Sequence, residues 1–388
     1  MRGLLRGVGA AVVVVVLAGF TLGPALLERS INTVLQAPPY PVNEATHKLH
    51  TRLFVADLHA DPLLWNRDLL NESAYGHVDI PRLRRGGVAL QVFDAVTKTP
   101  RDQNYDGNTA DSDNITALAI VQLWPVRTWR SLPERALYQS QKLHDVAARS
   151  KGRFVVVRSK ADIEKLVQGR AAHPPLTGGL LGIEGLHALE GDLHNLDVFF
   201  DAGFRIMGLT HFFDNEVGGS AHGTAKGGLT DFGRQVVRRM EERQILIDLA
   251  HASPQVIDDV LALATRPLVV SHTGVKGNCD NIRNISDEHL RRIAAGGGVV
   301  GIGYWDAAVC DVSVAGIVRA IQYAVRVAGV DHVALGSDFD GATTTPFDTT
   351  GVAQITEGLM SAGVSDNDIG KIMGGNVLRL LRETLPAA

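Results

Sequence analysis

The sequence predicts a (β/α)8 TIM-type barrel preceded by an N-terminal hydrophobic segment. Three observations lead there. Eight short apolar runs recur along the chain, separated by stretches of helical period, as in a parallel sheet covered by helices. Five segments run apolar and then reach a His, Asp or Glu: Leu53–Asp61 (LFVADLHAD), Leu180–Gly185 (LLGIEG), Ile245–His251 (ILIDLAH), Pro267–His272 (PLVVSH) and His332–Gly341 (HVALGSDFDG). Barrels of this kind keep their chemistry at the C-terminal ends of the strands.

The elements follow in order. Met1–Arg6 is a short basic start, and Gly7 to Leu27 carries no charge, close to the ~20 residues a membrane helix needs. Residues 1–29 therefore read as a membrane anchor or a cleavable signal peptide, with export expected and a membrane-anchored, periplasmic or extracellular location. Residues 30–45, with the segment QAPPYPVN, read as a linker, and residues 46–388 as the barrel domain. The strands are expected at Leu53–Asp57, Val88–Phe93, Leu180–Ile183, Arg205–Leu209, Ile245–Leu249, Leu268–Ser271, Val299–Tyr304 and Val333–Gly336, with Phe154–Val157 as an accessory strand. Helical patterns cover Asn114–Ala148, Asp231–Arg243, Ser286–Ala295 and Val314–Val327, and Thr97–Asn114 reads as a long polar loop.

Composition narrows the function. A chain of 388 residues, 45% hydrophobic and 21% charged, can bury a large core, and no repeat or second-domain boundary is visible. A net charge of −4 without a basic block gives no support for nucleic-acid binding. The two cysteines, Cys279 and Cys310, are free to bridge in an oxidising compartment or to remain buried thiols. They are too few for a cysteine metal site, so any metal ligands must be His and carboxylate.

The strand ends supply such ligands. His59 and Asp61 are two apart, so on a regular strand they face the same side. Glu184 follows an apolar run directly, and burying its charge there requires an ion pair or a metal. His251 and His272 close two consecutive strands, and neutral imidazole is a standard zinc ligand. Asp338 is assigned to proton transfer beside a metal-bound water, and Asp340, before Gly341, to a structural turn. His211 is placed to donate to a substrate carbonyl, and Arg283 to hold a substrate carboxylate with its planar fork. His77, His144, His173 and His289 read as surface or loop residues, while His187 and His222 stay open. The chain lacks the G-x-S-x-G elbow, the Walker phosphate loop and the H-E-x-x-H motif. The pattern is that of a metal-dependent hydrolase.

The order and context of these motifs resemble the membrane dipeptidase (renal dipeptidase) family, peptidase family M19. The resemblance runs from about Leu53 to Leu381 and includes VDIPRLRRGGVALQVF after the first strand and GGNVLRLL near the end. It implies a (β/α)8 barrel with two Zn2+ ions. His59 and Asp61 would bind one, His251 and His272 the other, and Glu184 would bridge both. It also implies substrate contacts from His211 and Arg283, catalysis by Asp338, a Cys279–Cys310 disulfide and a possible homodimer. The family's Asp-Gly-His-Asn-Asp reads Asp57-Leu58-His59-Ala60-Asp61 here, and its Glu-Gly-Gly-His reads Glu184-Gly185-Leu186-His187. Those changes bear on substrate preference more than on the ligand set.

The expected activity is hydrolysis of dipeptides with a free C-terminal carboxylate through a metal-bridging hydroxide. A barrel amidohydrolase for cyclic amides, lactones or phosphoesters is one alternative. A non-catalytic, membrane-tethered binding protein is another.

Overall fold

Strands buried on both faces read as continuous apolar runs, and here they close on themselves. A computed structural model of the chain describes residues 19–20, 22–172 and 175–388. Nine parallel strands form its main sheet: β1 (Val55–Asp57), β2 (Val88–Val96), β3 (Phe154–Val157), β4 (Thr177–Glu184), β5 (Phe204–Gly208), β6 (Leu246–Asp248), β7 (Val269–Thr273), β8 (Val299–Ile302) and β9 (Val333–Leu335). The ring order is β2-β1-β9-β8-β7-β6-β5-β4, and pairing of β2 with β4 closes it, giving the expected (β/α)8 barrel. The accessory strand β3 lies outside the ring. It pairs with Thr177–Leu180 at the start of β4, and β5 takes over the same edge at Leu181.

Alternation along the strands divides the core in two. Ala56, Leu90, Leu180, Ile206, Leu246, Val269, Val299 and Ala334, one from each barrel strand, form the interior cluster, joined by Val377, Leu380 and Leu381 of the C-terminal helix Asn376–Thr384. The alternate residues, among them Val55, Ile247, Val270 and Leu335, join the larger cluster under the outer helices. Those helices start on side-chain caps that satisfy free N–H groups: Ser253, Ser286 and Ser313 accept from Val256, His289 and Gly316.

Two expectations change. The helical pattern over Asn114–Ala148 is two helices, Asn114–Val121 and Leu132–Arg149. Leu123 takes a left-handed φ of 56°, and Pro125 has no N–H to continue a ladder, so the chain turns and restarts on the Ser131 cap. His77 and His289 are buried rather than superficial, and His144 is half-buried. His173 and most of the N-terminal apolar run lie outside the described residues. Among the described residues no helix is long and apolar enough to cross a membrane.

The remaining N-terminal residues lie on the barrel. Residues 22–31 are helical, and Thr33–Val34 pairs in parallel with Thr344–Thr345 in the loop after β9. A disulfide joins Cys279 to Cys310 and ties the loop after β7 to the loop after β8.

Candidate metal centre and active site

The barrel closes β1 against β9, and that seam sets the first group of side chains. Buried Asp57 at the end of β1 accepts from the His59 N–H at 3.1 Å, Gln91 Nε2 at 2.9 Å and Ser337 Oγ at 3.0 Å. The Asp61 N–H donates to the Phe339 carbonyl at 2.8 Å. His59 and Asp61 are thereby held beside Asp338. His59 Nε2 lies 3.5 Å from Asp61 Oδ2 and 3.8 Å from both Glu184 Oε1 and Asp338 Oδ1. The Asp338 backbone is left-handed, with φ 60°, a conformation uncommon outside glycine. Gly341 completes the turn because a Cβ there would stand 2.1 Å from Asp338 Oδ1 and 2.7 Å from Asp61 Oδ2.

The second group comes from the ends of β4, β5, β6 and β7. Glu184 Oε1 lies 2.9 Å from His251 Nε2 and 3.3 Å from His272 Nε2, and those two nitrogens are 3.0 Å apart. Glu184 Oε2 lies 3.1 Å from His211 Nε2. Three sets of ligand atoms each lie within 4.8 Å of one another: His59, Glu184 and His272; Glu184, His211 and His251; His59, Asp61 and Asp338.

Buried partners fix how two of these imidazoles point. Asp94 Oδ2 stands 3.1 Å from His59 Nδ1. Ser271 Oγ donates to Asp248 Oδ2 at 2.5 Å and is 2.8 Å from His272 Nδ1, so it accepts a proton placed there. Each ring places Nδ1 beside such a partner and turns Nε2 toward Glu184, the orientation typical of metal-ligating histidines.

Charge explains why this cluster needs a cation. Burial holds His211, His251 and His272 well below the ordinary imidazole range, helped by the neighbouring histidines and the Arg283 charge. They stay neutral, with lone pairs available. Burial raises Glu184 well above the ordinary carboxyl range against the pull of His59, and the charges of Asp61 and Asp338 add to the rise. Asp338 is pushed up to about 8, chiefly by burial and also by Asp61. Buried acids this crowded, beside imidazole nitrogens 3.0 Å apart, gain most from a positive charge held between them. Asp61 Oδ1 and His59 Nε2 also lack hydrogen-bond partners. The donor set of imidazole and carboxylate fits divalent zinc.

Above this floor lies a cavity of about 640 Å3, with Asp61, Glu184, His211, His251, Arg283 and Asp338 in its wall. Arg283 is 5% exposed and donates to the His272 carbonyl at 2.9 Å. Its guanidinium carbon sits 5.2 Å from the Trp305 ring centroid. Among the described residues no carboxylate lies within ion-pair distance of it. Trp305 Nε1 donates to the Tyr105 hydroxyl at 3.1 Å, which brings the polar loop after β2 over the site.

Residues 43–388 match the membrane dipeptidase (peptidase family M19) profile. The chain belongs to this family. It is 29% identical over 370 residues to dipeptidase aclJ of Aspergillus oryzae, covering 89% of this chain and 82% of that one. A metallo peptidase from Rhodobacter sphaeroides, solved with a phosphinate mimic of the dipeptide L-Ala-D-Ala, superposes with a TM-score of 0.68 at 25% identity, covering 86% of this chain and 99% of that one. The probable dipeptidase PvdM from Pseudomonas aeruginosa shares the fold, with a TM-score of 0.74 at 20% identity over 88% of this chain and 98% of its own. The chain is accordingly a metallo-dipeptidase in family and architecture.

Within this dipeptidase, all eight residues singled out from the sequence converge on one barrel mouth. Sequence reasoning missed Asp94, Asp248, Ser271, Tyr105 and Trp305. Asp94 carried the same signal as Glu184, a lone acid in an apolar run, but the strand was ended one residue short of it. His187 and His222 sit behind the site. His187 Nε2 pairs with Thr97 Oγ1 at 3.0 Å, and His222 Nδ1 with the Tyr105 carbonyl at 3.0 Å. Asp340 is structural, though not as a local turn. It accepts from Arg67 at 2.6 Å and from the N–H groups of His77 and Val78.

Proposed function

We propose that this chain is an exported, zinc-dependent dipeptidase that cleaves dipeptides bearing a free C-terminal carboxylate. The observation that carries this reading is Arg283. It is a buried guanidinium with no carboxylate partner among the described residues, on the wall of a cavity whose floor is a metal donor set. An unpaired buried charge is strongly unfavourable, and a substrate carboxylate would compensate it with a bidentate pair.

His59 and Asp61 would hold one zinc, His251 and His272 the other, and Glu184 both. Bound there, the ions would supply Lewis acidity and bring the pKa of a bound water toward neutrality. The rest falls to the protein's own groups. Arg283 holds the carboxylate and so sets the register of the peptide bond. His211 donates to the carbonyl oxygen as negative charge develops on it, where a fixed donor is most effective. Asp338 takes a proton from the attacking water and returns it to the leaving amine nitrogen. The carboxylate clamp restricts substrates to those with a free C-terminus one residue beyond the scissile bond. The phosphinate bound by the Rhodobacter sphaeroides relative mimics a D-residue at the second position, so both L,L and L,D dipeptides belong in the substrate class. Export is supported by the uncharged run Gly7 to Leu27 and by the Cys279–Cys310 bridge, since disulfides persist in oxidising compartments.

The test is amine release by the zinc-loaded full chain from L,L and L,D dipeptides and from the same peptides amidated at the C-terminus. Free dipeptides should be cleaved and amides should lose most of their kcat/KM. Equal rates on both would remove Arg283 from its role. No cleavage of any dipeptide at full zinc occupancy would overturn the activity.

A further inference from the structure

The cavity above the metal donor set has a wall that the chemistry does not use. Pro24, Leu27 and Ile31 line it together with Ile115, Leu118 and Val121 of the helix Asn114–Val121. Leu27 is 46% exposed, an apolar side chain left open at the mouth. The first three residues belong to a strap, residues 22–34, that precedes the family-matched region of 43–388. They lie outside the matched region.

The strap is fastened at three points. Glu28, 2% exposed, pairs with Arg67 at 2.5 Å, and Arg67 pairs with Asp340 at 2.6 Å. Asn32 Oδ1 accepts from the Ala342 N–H at 2.8 Å. Thr33–Val34 pairs with Thr344–Thr345. All three contacts fall on the β1–β9 side of the mouth, and the helix Asn114–Val121 follows β2. In the ring, β2 stands four strands from β7, directly opposite it, and Arg283 follows β7. A dipeptide with its carboxylate on Arg283 therefore extends its amino-terminal residue toward the strap.

We infer that the strap makes this dipeptidase selective for substrates whose amino-terminal residue carries a large apolar side chain, with Leu27 and Ile31 as specificity-determining residues. The inference rests on the dipeptidase reading, on Arg283 as the carboxylate clamp and on residues 22–34 being retained in the exported protein. Burying each added methylene against such a wall changes relative kcat/KM by about 10-fold or more.

The test compares kcat/KM of the zinc-loaded full chain for Leu-Ala, Gly-Ala, Ala-Leu and Ala-Gly. Leu-Ala should exceed Gly-Ala by at least about 10-fold, with a much smaller ratio between Ala-Leu and Ala-Gly. Leu27→Glu on the strap and Leu118→Ser on the facing helix should each lower the Leu-Ala to Gly-Ala ratio several-fold. If Gly-Ala is cleaved but the ratio is near one, or survives both substitutions, the strap is not the determinant. A preference at the carboxyl-terminal residue would also overturn it. If none of the four is cleaved, the dipeptidase reading falls, and this inference with it.

Discussion

Asp94 Oδ2 lies 3.1 Å from His59 Nδ1, with both side chains almost wholly buried. Burial opposes a charge on His59, yet Asp94, Asp61 and Glu184 together raise its proton affinity well above the ordinary imidazole value. The Asp94 carboxylate thus fixes which nitrogen faces the donor set. Asp94→Ala should weaken zinc binding by about 10- to 100-fold, the usual effect of losing an outer partner of a ligating histidine. Chelator competition measures it directly. Unchanged affinity would mean that His59 is oriented by packing alone.

Much of this was legible in the sequence because a barrel strand is buried on both faces. All eight barrel strands and the accessory strand stand where apolar runs mark them, and β1, β4, β6, β7 and β9 deliver their polar residue at or just beyond the C-terminal end. What stayed hidden is long-range. Nothing near Asp340 in sequence announces Arg67, 273 residues away, and a histidine such as His77 looks superficial until its partner is known. Ser271 and Asp248 were passed over because a serine or aspartate inside a short strand resembles any satisfied polar core residue. The strap falls across the expected anchor or signal segment, residues 1–29, and the start of the expected linker, residues 30–45. Two of its three fastenings are made to residues more than 300 positions later, which no local pattern displays.

Asp340 should govern acid stability. Burial alone would raise its pKa, but the Arg67 charge and the His77 contacts outweigh it and hold the carboxyl well below the ordinary range. A depressed folded pKa adds stability that is present above the unfolded value of about 4 and is lost as pH falls toward the folded one. Asp340→Asn should therefore cost about 3–5 kcal/mol at pH 7 in guanidinium unfolding, with the gap to the natural chain narrowing below about pH 4. A gap independent of pH would show that shape, not charge, makes the contact.

The Cys279–Cys310 disulfide closes a loop with a sequence separation of 31 residues around Arg283. Replacing both cysteines by serine should lower stability by about 3–4 kcal/mol. Thiol titration of the native protein should find none free. Two reactive thiols would contradict the bridge.

Arg283 offers a separation of binding from chemistry. Arg283→Ala should raise KM for free dipeptides far more than it lowers kcat. Arg283→Lys should not restore it, because a point charge lacks the planar fork. Rescue by lysine, or an unaltered KM, would place the carboxylate elsewhere.

Hydrolysis is proposed to depend on two zinc ions held together by Glu184. Titrating the metal-free chain with zinc while following hydrolysis of a free dipeptide decides it. Activity should reach its plateau at two zinc ions per chain, and a Glu184→Gln variant should bind zinc weakly and stay inactive throughout. A plateau at one ion, or full activity in that variant, would contradict it.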